Sequence, residues 1–538
     1  MDAAGPNRRP SGRLVDTAII VLILAAWLAV VRIVTAGERT VLYDTFRDIA
    51  WAQNMRAGCF WADPSLPDQP YWYAPGGPLL VAGLSAITGC SVTDLYGYAA
   101  YWLGGLLPVF TFVLVRRAWG LATALLALPA VFIGSQWWLT HGVVGVPGSQ
   151  GLGLNLLGLL CWQRVVRQAQ QHPASQPAGR RLVWPMLTGV VLAGATWFHP
   201  LCGIVLAGTI AGHVLLDLVL AASARRPGKT VHERRALLVP MLIVAAVSLA
   251  LTLPLIIHMV GIQAGDPRLM RFFAGELAEP DFYAQARTPL VVPAGLLGVW
   301  CVVRRHPGSV WLVSYLVVGL LGQAGGYVAG LTGWSVLQFL PHEFQWHAQF
   351  AIGVCAAIGL MHVAAGLAGG RGAMQLLVGA ILMTLTLTPG LRDLGRARDY
   401  LISLEPLLAD TRELRAWILT NTTLADTFVC EPDTAHQIVA ALTGRKCVVV
   451  SPGHTNPAVD LRARLRAMNE LLRTGDPQRF HQLARQYRVD YLLQRAASAG
   501  ELVTLRGRYA AWPALAPVFA SSDGRWVVYR VSAPEERP

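Results

Sequence analysis

Apolar runs of about twenty residues recur along this chain from residue 14 to residue 391, and no other feature restricts its fold so tightly. A helix needs about 20 predominantly apolar residues to cross a bilayer. About eleven runs approach that length, near 14–36, 95–115, 121–139, 147–163, 182–198, 201–222, 236–258, 289–303, 309–329, 346–366 and 373–391. The run at 289–303 is short and interrupted by proline. The stretch GPLLVAGLSAITG at 77–89 is apolar but too short to span, which suits an interfacial or re-entrant segment. With 54% hydrophobic and 14% charged residues over 538 positions and a mean hydropathy of +0.45, the chain does not have the balance of a soluble globular protein. A polytopic α-helical membrane protein is expected.

Lys and Arg then set the orientation. One alternate set of loops holds clusters such as Arg8, Arg9 and Arg13, and Arg225, Arg226, Lys229, Arg234 and Arg235. The intervening loops hold only scattered arginines. By the positive-inside rule the clustered set is cytoplasmic, so the N-terminus is inside and the chain after 392 is outside. The net charge of +13 is largely accounted for by this asymmetry, and no nucleic-acid partner is needed. The basic leader MDAAGPNRRPSGR precedes a run too long for a signal peptide and without a small-residue cleavage site, so it reads as a retained first helix.

Two domains are expected: a transmembrane domain over 1–391 with outward loops at 37–94 and 259–288, and an extracytoplasmic α/β domain over 392–538. In the latter the apolar runs shorten, charges become frequent, and helix and strand signals alternate. Strands are placed at 427–430, 446–451 and 489–493, and a final hairpin turns at Ser522-Asp523-Gly524. The eight cysteines show no metal-ligand spacing. Cys59 with Cys90, and Cys430 with Cys447, lie on the oxidising side and are candidate disulfides.

The first outward loop opens with VLYDTFRDIAWA at 41–52, where Asp44 and Asp48 are spaced i, i+4 on a helix with Arg47 between them. Carboxylates at that spacing share a face and repel unless a cation lies near. A solvated membrane exit is the plainer account of these charges. The loop continues with Asp63 and Asp68 among Trp61, Tyr71, Trp72 and Tyr73. Flat rings interleaved with carboxylates suit a carbohydrate, whose faces stack and whose hydroxyls bond to acids; an interfacial aromatic belt is the alternative.

In this loop the chain resembles the polyprenyl-phosphate-dependent glycosyltransferases of the GT-C superfamily, including protein mannosyltransferases and lipid A aminoarabinose transferases. The resemblance rests on Tyr43-Asp44, then Arg47 and Asp48, then Asp63-Pro64, then Tyr73-Ala74-Pro75-Gly76-Gly77-Pro78-Leu79-Leu80. Members of the family have an acidic pair where this chain has Asp44-Thr45, which leaves Asp48 as the nearest substitute for the second acid.

The resemblance implies an inverting transfer of a sugar from a polyprenyl-phosphate donor to an envelope acceptor, whether glycan, lipid or protein. The reaction would take place at the outer face of the cytoplasmic membrane. Asp44 would be the base, with Asp48 its companion, and a partly desolvated carboxylate is expected there. Arg47, Asp63, Tyr71 and Tyr73 would contact substrate. The departing lipid phosphate needs cations. Arg268 and Arg271 in the loop 259–288 offer the planar donor fork that suits phosphate, although an amphipathic helix meeting lipid headgroups explains them as well. His141, His199, His258, His342 and His347 all fall at outward membrane ends. In the resemblance, His342 of PHEFQW takes the place of a basic group for the lipid phosphate, and Glu343 is its candidate partner. No cofactor is expected; the loop acids are compatible with a divalent ion, but nothing in the sequence fixes a ligand set.

His436 and His454 of the tail lack any nucleophile-elbow or nucleotide motif beside them, so the tail reads as an accessory domain. Two other functions remain open. A transporter or flippase for a lipid-linked substrate would place ionisable groups at mid-membrane, and the spans are read as nearly free of them. A non-catalytic envelope assembly protein would leave the aromatic-acid loop unexplained.

Overall fold

The computed structural model describes residues 10–133, 147–170, 178–222, 237–263, 291–305, 309–332, 341–369, 372–391 and 398–532, apart from 452–453, 457–458, 497–502, 505–508, 510–511 and 513–514. Its contacts divide the chain into two units: Met1–Gly37, Ala99–Ile257 and Pro267–Leu401 form one, and Glu38–Tyr98, His258–Asp266 and Ile402–Pro538 form the other.

The first unit is helical. Among the described residues five helical stretches are long and apolar enough to cross a membrane: Leu14–Thr35, Arg181–Phe198, Pro200–Val219, Leu238–Met259 and Glu343–Leu367. Leu121–Phe132, Val291–Arg304, Trp311–Gly326 and Gly372–Thr388 are apolar but shorter. The run expected near 95–115 is irregular: after the short helix Val92–Gly97, a π-helical stretch Ala100–Gly104 leads into Leu106–Trp119 through Gly105, whose backbone stays helical at φ −63° and ψ −19°. The chain passes from the second unit to the first after Tyr98.

Helix Leu238–Gln263 exposes Leu242, Leu249, Leu251, Leu253 and Ile257. A helix that is apolar on its outward side as well as its inward side belongs in lipid. Prolines 129, 185 and 254 lie inside helices, as membrane helices tolerate. Where helices Val291–Arg305 and Pro341–Leu367 pack, glycine sets the separation. A Cβ at Gly298 would overlap the Cys355 carbonyl, and one at Gly359 the Ala294 carbonyl. Small residues let membrane helices approach this closely. The chain is therefore a membrane protein built largely of helices.

In the second unit the segment 38–98, placed by sequence among the loops of the apolar part, folds together with the tail. Strand β1 (Thr40–Val41) pairs antiparallel with β2 (Ile402–Ser403). Helices Thr45–Arg56, Gly76–Thr88 and Val92–Gly97 follow β1. The middle one has thirteen residues and closes on Gly89 at φ 74°, a left-handed conformation that suits glycine.

The tail builds a five-stranded sheet from β3 (Thr427–Val429), β4 (Lys446–Cys447), β5 (Tyr491–Arg495), β6 (Leu515–Ala520) and β7 (Trp526–Val531), in the order β4-β3-β5-β7-β6. Strands β4, β3 and β5 are parallel, while β7 runs antiparallel to both β5 and β6. Parallel neighbours need crossovers. Pro432–Thr434 running into the π-helical stretch Ala435–Leu442 supplies the one from β3 to β4. Helices Leu461–Arg473 and Pro477–Gln486 precede β5, each opened by an aspartate, Asp460 or Asp476, that accepts a backbone N–H of the first turn.

Alternation along β5 sends Leu492 to one face, with Leu471 and Phe480, and Tyr491 and Leu493 to the other, with Leu414, Ile418 and Val439. Ala50 of the first loop joins that second face. Gln53 Nε2 donates to Ala441 O at 2.7 Å. All eight cysteines are free. Cys59 and Cys90 are exposed, whereas Cys430 and Cys447 are buried side by side as thiols rather than joined.

Candidate functional site

Asp44 stands at the N-cap position of helix Thr45–Arg56, yet its side chain caps no backbone N–H. Its Oδ1 instead lies 3.3 Å from His454 Nε2, and the side chain is 61% exposed. The desolvated carboxylate expected from sequence is therefore an open one, held on one side.

Tyr43 beside it is half-buried against two imidazoles. Its ring centroid lies 5.0 Å from His436 and 5.2 Å from His454, and those two stack on each other at 4.7 Å and 11°. The Tyr43 hydroxyl donates to Asp433 Oδ1, and His436 Nε2 lies 3.3 Å from the Tyr43 carbonyl. Burial, with Asp433 adding to it, pushes the Tyr43 phenol up to about 12. Burial lowers both histidines to about 3, helped at His436 by His454 and at His454 by Arg47. Both imidazoles are thus neutral at ordinary pH.

Asp48 points elsewhere. It is fully buried and pairs with Arg47 at 3.2 Å. The Arg47 guanidinium lies 4.1 Å from the Tyr73 ring centroid, 5.1 Å from Trp51 and 6.0 Å from Trp72, a cation held among aromatic faces. Burial opposes its charge, but Asp48, Tyr73 and Asp44 outweigh that and hold its pKa above the ordinary value. The helix is not a solvated exit: Thr45 through Ala52 are all buried.

Asp63 is committed to structure. Its Oδ1 accepts from Ser65 N and Leu66 N at 2.8 and 2.9 Å, and its Oδ2 from Asn456 Nδ2 at 3.0 Å. Lys446 Nζ donates to its carbonyl, and Cys447 N reaches Ser65 O at 2.6 Å. The Asp63-Pro64 turn therefore knots the first loop to β4. Burial raises the Asp63 pKa against those donors. Tyr71 is also a core residue: its ring packs on Trp51 at 4.8 Å, and its carbonyl accepts from His258 Nε2. Tyr73 and Trp72 are half-buried, and Trp61 is 51% exposed.

Within the helical unit His199 is buried, with Nε2 3.6 Å from Glu343 Oε1. Glu343, assigned by sequence to His342, thus faces His199. The same region buries Cys202, whose Sγ is 3.9 Å from His347 Nε2, and His347 Nδ1 meets the Tyr315 hydroxyl. The spans are therefore less free of polar groups than composition implies. His342 lies on helix Pro341–Leu367 with its side chain outside the described residues. Arg268, Arg271 and His141 lie outside them altogether. Among the described residues no three His, Cys, Asp or Glu side chains group so as to hold a metal ion.

The structure thus brings Tyr43, Asp44, Asp433, His436 and His454 together, and gathers Arg47, Asp48, Trp51, Trp72 and Tyr73 around a buried cation. The residues that sequence reasoning underrated are His436 and His454. Their one signal is the histidine that closes EPDTAH and the one that closes SPGH, in otherwise ordinary α/β sequence.

No family model and no curated protein matches the sequence. Solved structures do match. The chain is similar to an oligosaccharyltransferase of Archaeoglobus fulgidus tethered with an acceptor peptide containing an NVT sequon, at 12% identity, 95% of this chain, 74% of that one and TM-score 0.59. It is similar to ArnT of Cupriavidus metallidurans at 16% identity, 96% and 98% coverage and TM-score 0.53. It is also similar to the arabinofuranosyltransferase AftD from Mycobacteria at 15% identity, 96% coverage and TM-score 0.60, spanning 40% of that chain. The fold is that of the GT-C glycosyltransferases.

Proposed function

We propose that this chain is a membrane glycosyltransferase that moves a sugar from a polyprenyl-phosphate-linked donor to an envelope acceptor, glycan, lipid or protein, on the extracytoplasmic face. It would lie in the cytoplasmic membrane with its N-terminus inside and its tail outside. The observation that carries this reading is the open Asp44 carboxylate, uncommitted to capping, in the first loop after the first apolar helix. The shared fold supports the donor class. A structure of the Archaeoglobus enzyme was solved with a dolichol-phosphate and one of ArnT with undecaprenyl phosphate.

In the proposed step Asp44 takes the proton of the acceptor hydroxyl or amine as that atom attacks the anomeric carbon. The bond from that carbon to the phosphate oxygen breaks on the opposite face, and its electron pair leaves with polyprenyl phosphate. Arg47 supplies a fixed positive charge near the carboxylate, and Asp48 serves by keeping that cation buried and oriented. Asp63 and Tyr71 shape the loop, while Tyr73 and Trp61 offer rings to a sugar. Arg268, Arg271 and His342 are the groups assigned to the lipid phosphate, and His199 to the polar lining of the outward cavity. No resident cofactor enters the scheme.

The test is to reconstitute the full chain in lipid with a panel of polyprenyl-phosphate sugars and envelope acceptors, and to measure release of polyprenyl phosphate. The parent turns over with at least one donor, and Asp44→Asn lowers the rate about 100-fold or more, the usual scale for losing a base. Equal turnover by the variant removes Asp44 from the chemistry. No turnover with any donor favours a flippase or a non-catalytic role. A parallel series with a chelator tests whether a divalent ion is needed.

A further inference from the structure

We infer that the tail completes the site by supplying a neutral histidine, His454, whose Nε2–H holds the Asp44 carboxylate in one orientation. This rests on the reading of Asp44 as the base and gives the tail domain a part in that same site.

Of the two carboxylates at the start of helix Thr45–Arg56, only Asp44 stays open. Asp48 is fixed by burial and by Arg47, whereas Asp44 makes no cap and is largely exposed. An exposed carboxylate of this kind rotates freely, and a base must meet its proton within a narrow range of distance and angle. The group that limits its rotation is His454, at 3.3 Å from Oδ1. A carboxylate oxygen only accepts, and a neutral imidazole carries a single N–H. The contact therefore assigns the proton to Nε2 and leaves Oδ2 for the acceptor.

The surroundings of His454 are built to keep that arrangement. His436 stacks on one face of the ring and Tyr43 packs against it, so the imidazole cannot swing away without breaking two aromatic contacts. His454 Nδ1 is buried without a hydrogen-bond partner among the described residues. A protonated Nδ1 would be an unsatisfied buried donor, which is costly, so the Nε2–H tautomer is again favoured. His436 follows the same rule, because its Nε2 faces the Tyr43 carbonyl, which can only accept. The charged and titratable groups facing the ring are Asp44, Tyr43, Arg47 and His436. Arg47 and burial both disfavour a second proton on His454, so it donates a hydrogen bond without competing for the proton that Asp44 takes.

His454 is thus a positioning residue, acting through Asp44 rather than on substrate. Its sequence position explains why the tail fold sits where it does in the chain's chemistry: the residues that grip Tyr43 and Asp44 come from the π-helical stretch before β4 and the turn after it.

The experiment uses the full chain in nanodiscs with His454→Ala, His454→Gln and Asp44→Asn. Glutamine keeps an N–H donor at about the reach of Nε2, and alanine does not. The expected result is a loss in kcat of about tenfold or more in His454→Ala with little change in donor KM, and recovery of most of it in His454→Gln. Selective nitrogen-15 labelling of histidine adds a readout that needs no turnover. The resonance lost in His454→Gln should report a neutral Nε2–H tautomer and should move in Asp44→Asn. Unchanged kcat in His454→Ala, equal loss in both His454 variants, or an Nδ1–H tautomer blind to Asp44→Asn overturns the proposal. If the parent is inactive with every donor, the glycosyltransferase reading fails, while the tautomer measurement still decides the contact.

Discussion

The carboxylate of Asp48 and the guanidinium of its neighbour Arg47 are ion-paired at 3.2 Å, with Asp48 fully buried and Arg47 seated 4.1 Å from the Tyr73 ring. A pair of adjacent charges that far from water is stable only while each has the other, because an unpartnered buried charge costs more than the pair gains. Asp48→Asn is therefore expected to destabilise the fold by about 3–5 kcal/mol, read as a fall in the unfolding midpoint of the purified protein. Replacing both residues by apolar ones of similar size should restore part of the loss. If the single variant unfolds at the parent's midpoint, the pair is solvated and its burial is wrong.

Acid should loosen the second unit through its two stacked histidines. His436 and His454 are lowered from 6.5 to about 3, so between those values the unfolded chain binds protons that the folded chain refuses. Their contribution is fully present above about pH 6.5 and is lost as pH falls towards 3. Each adds a slope of at most about 1.4 kcal/mol per pH unit. Unfolding midpoints measured from pH 8 down to pH 4 should fall for the parent and fall less for His454→Gln. Parallel curves would mean the ring is charged or exposed in the folded protein.

Much of the local architecture was legible, for reasons tied to particular residues. Ser522-Asp523-Gly524 marks the β6–β7 hairpin because Gly524 takes φ 70°, and Gly444 ends the stretch before β4 at φ 73° for the same reason. The apolar runs become helices because a chain in lipid must satisfy its backbone internally. Burial of helix Thr45–Arg56 was not legible, since its charges read as a solvated face until the tail covers it. The spacing of Asp44 and Asp48 suggested one shared face, yet each carboxylate is claimed by a different partner, one adjacent and one in the tail. Periodicity reports which side of a helix is covered and carries no information about a partner several hundred residues away. Asp63 misled for a related reason: an acid among aromatic residues resembles a sugar contact, but this one is spent on two backbone N–H groups and Asn456.

Arg39 joins β1 to two helices of the second unit. Its Nε and Nη2 reach the two oxygens of Glu405 at 2.7 and 2.6 Å, and its Nη1 reaches Asp94 at 2.6 Å. The carboxylates are 42% and 43% exposed, so solvent screening limits the gain to about 1 kcal/mol. Arg39→Ala should cost about that much at low salt and less in 1 M salt. Arg39→Lys should recover little, because one ammonium cannot form the forked contact with Glu405. A loss of several kcal/mol, or one indifferent to salt, would point to packing by the arginine stem rather than to its charge.

Glycine at the helix crossing of the first unit should prove irreplaceable where a control glycine is not. A Cβ at Gly298 would run into the backbone of Cys355, which cannot rotate out of the way as a side chain can, whereas a Cβ at Gly325 meets nothing within 4 Å. Gly298→Ala must therefore push helices Val291–Arg305 and Pro341–Leu367 apart, costing about 1–3 kcal/mol as overpacking does. Gly325→Ala removes conformational freedom from a helix interior without a clash, so it should be neutral or slightly stabilising. Unfolding midpoints of the two variants in the same micelle make the comparison. The close approach of these two helices is refuted if Gly298→Ala matches Gly325→Ala, since the added methyl would then have found open space.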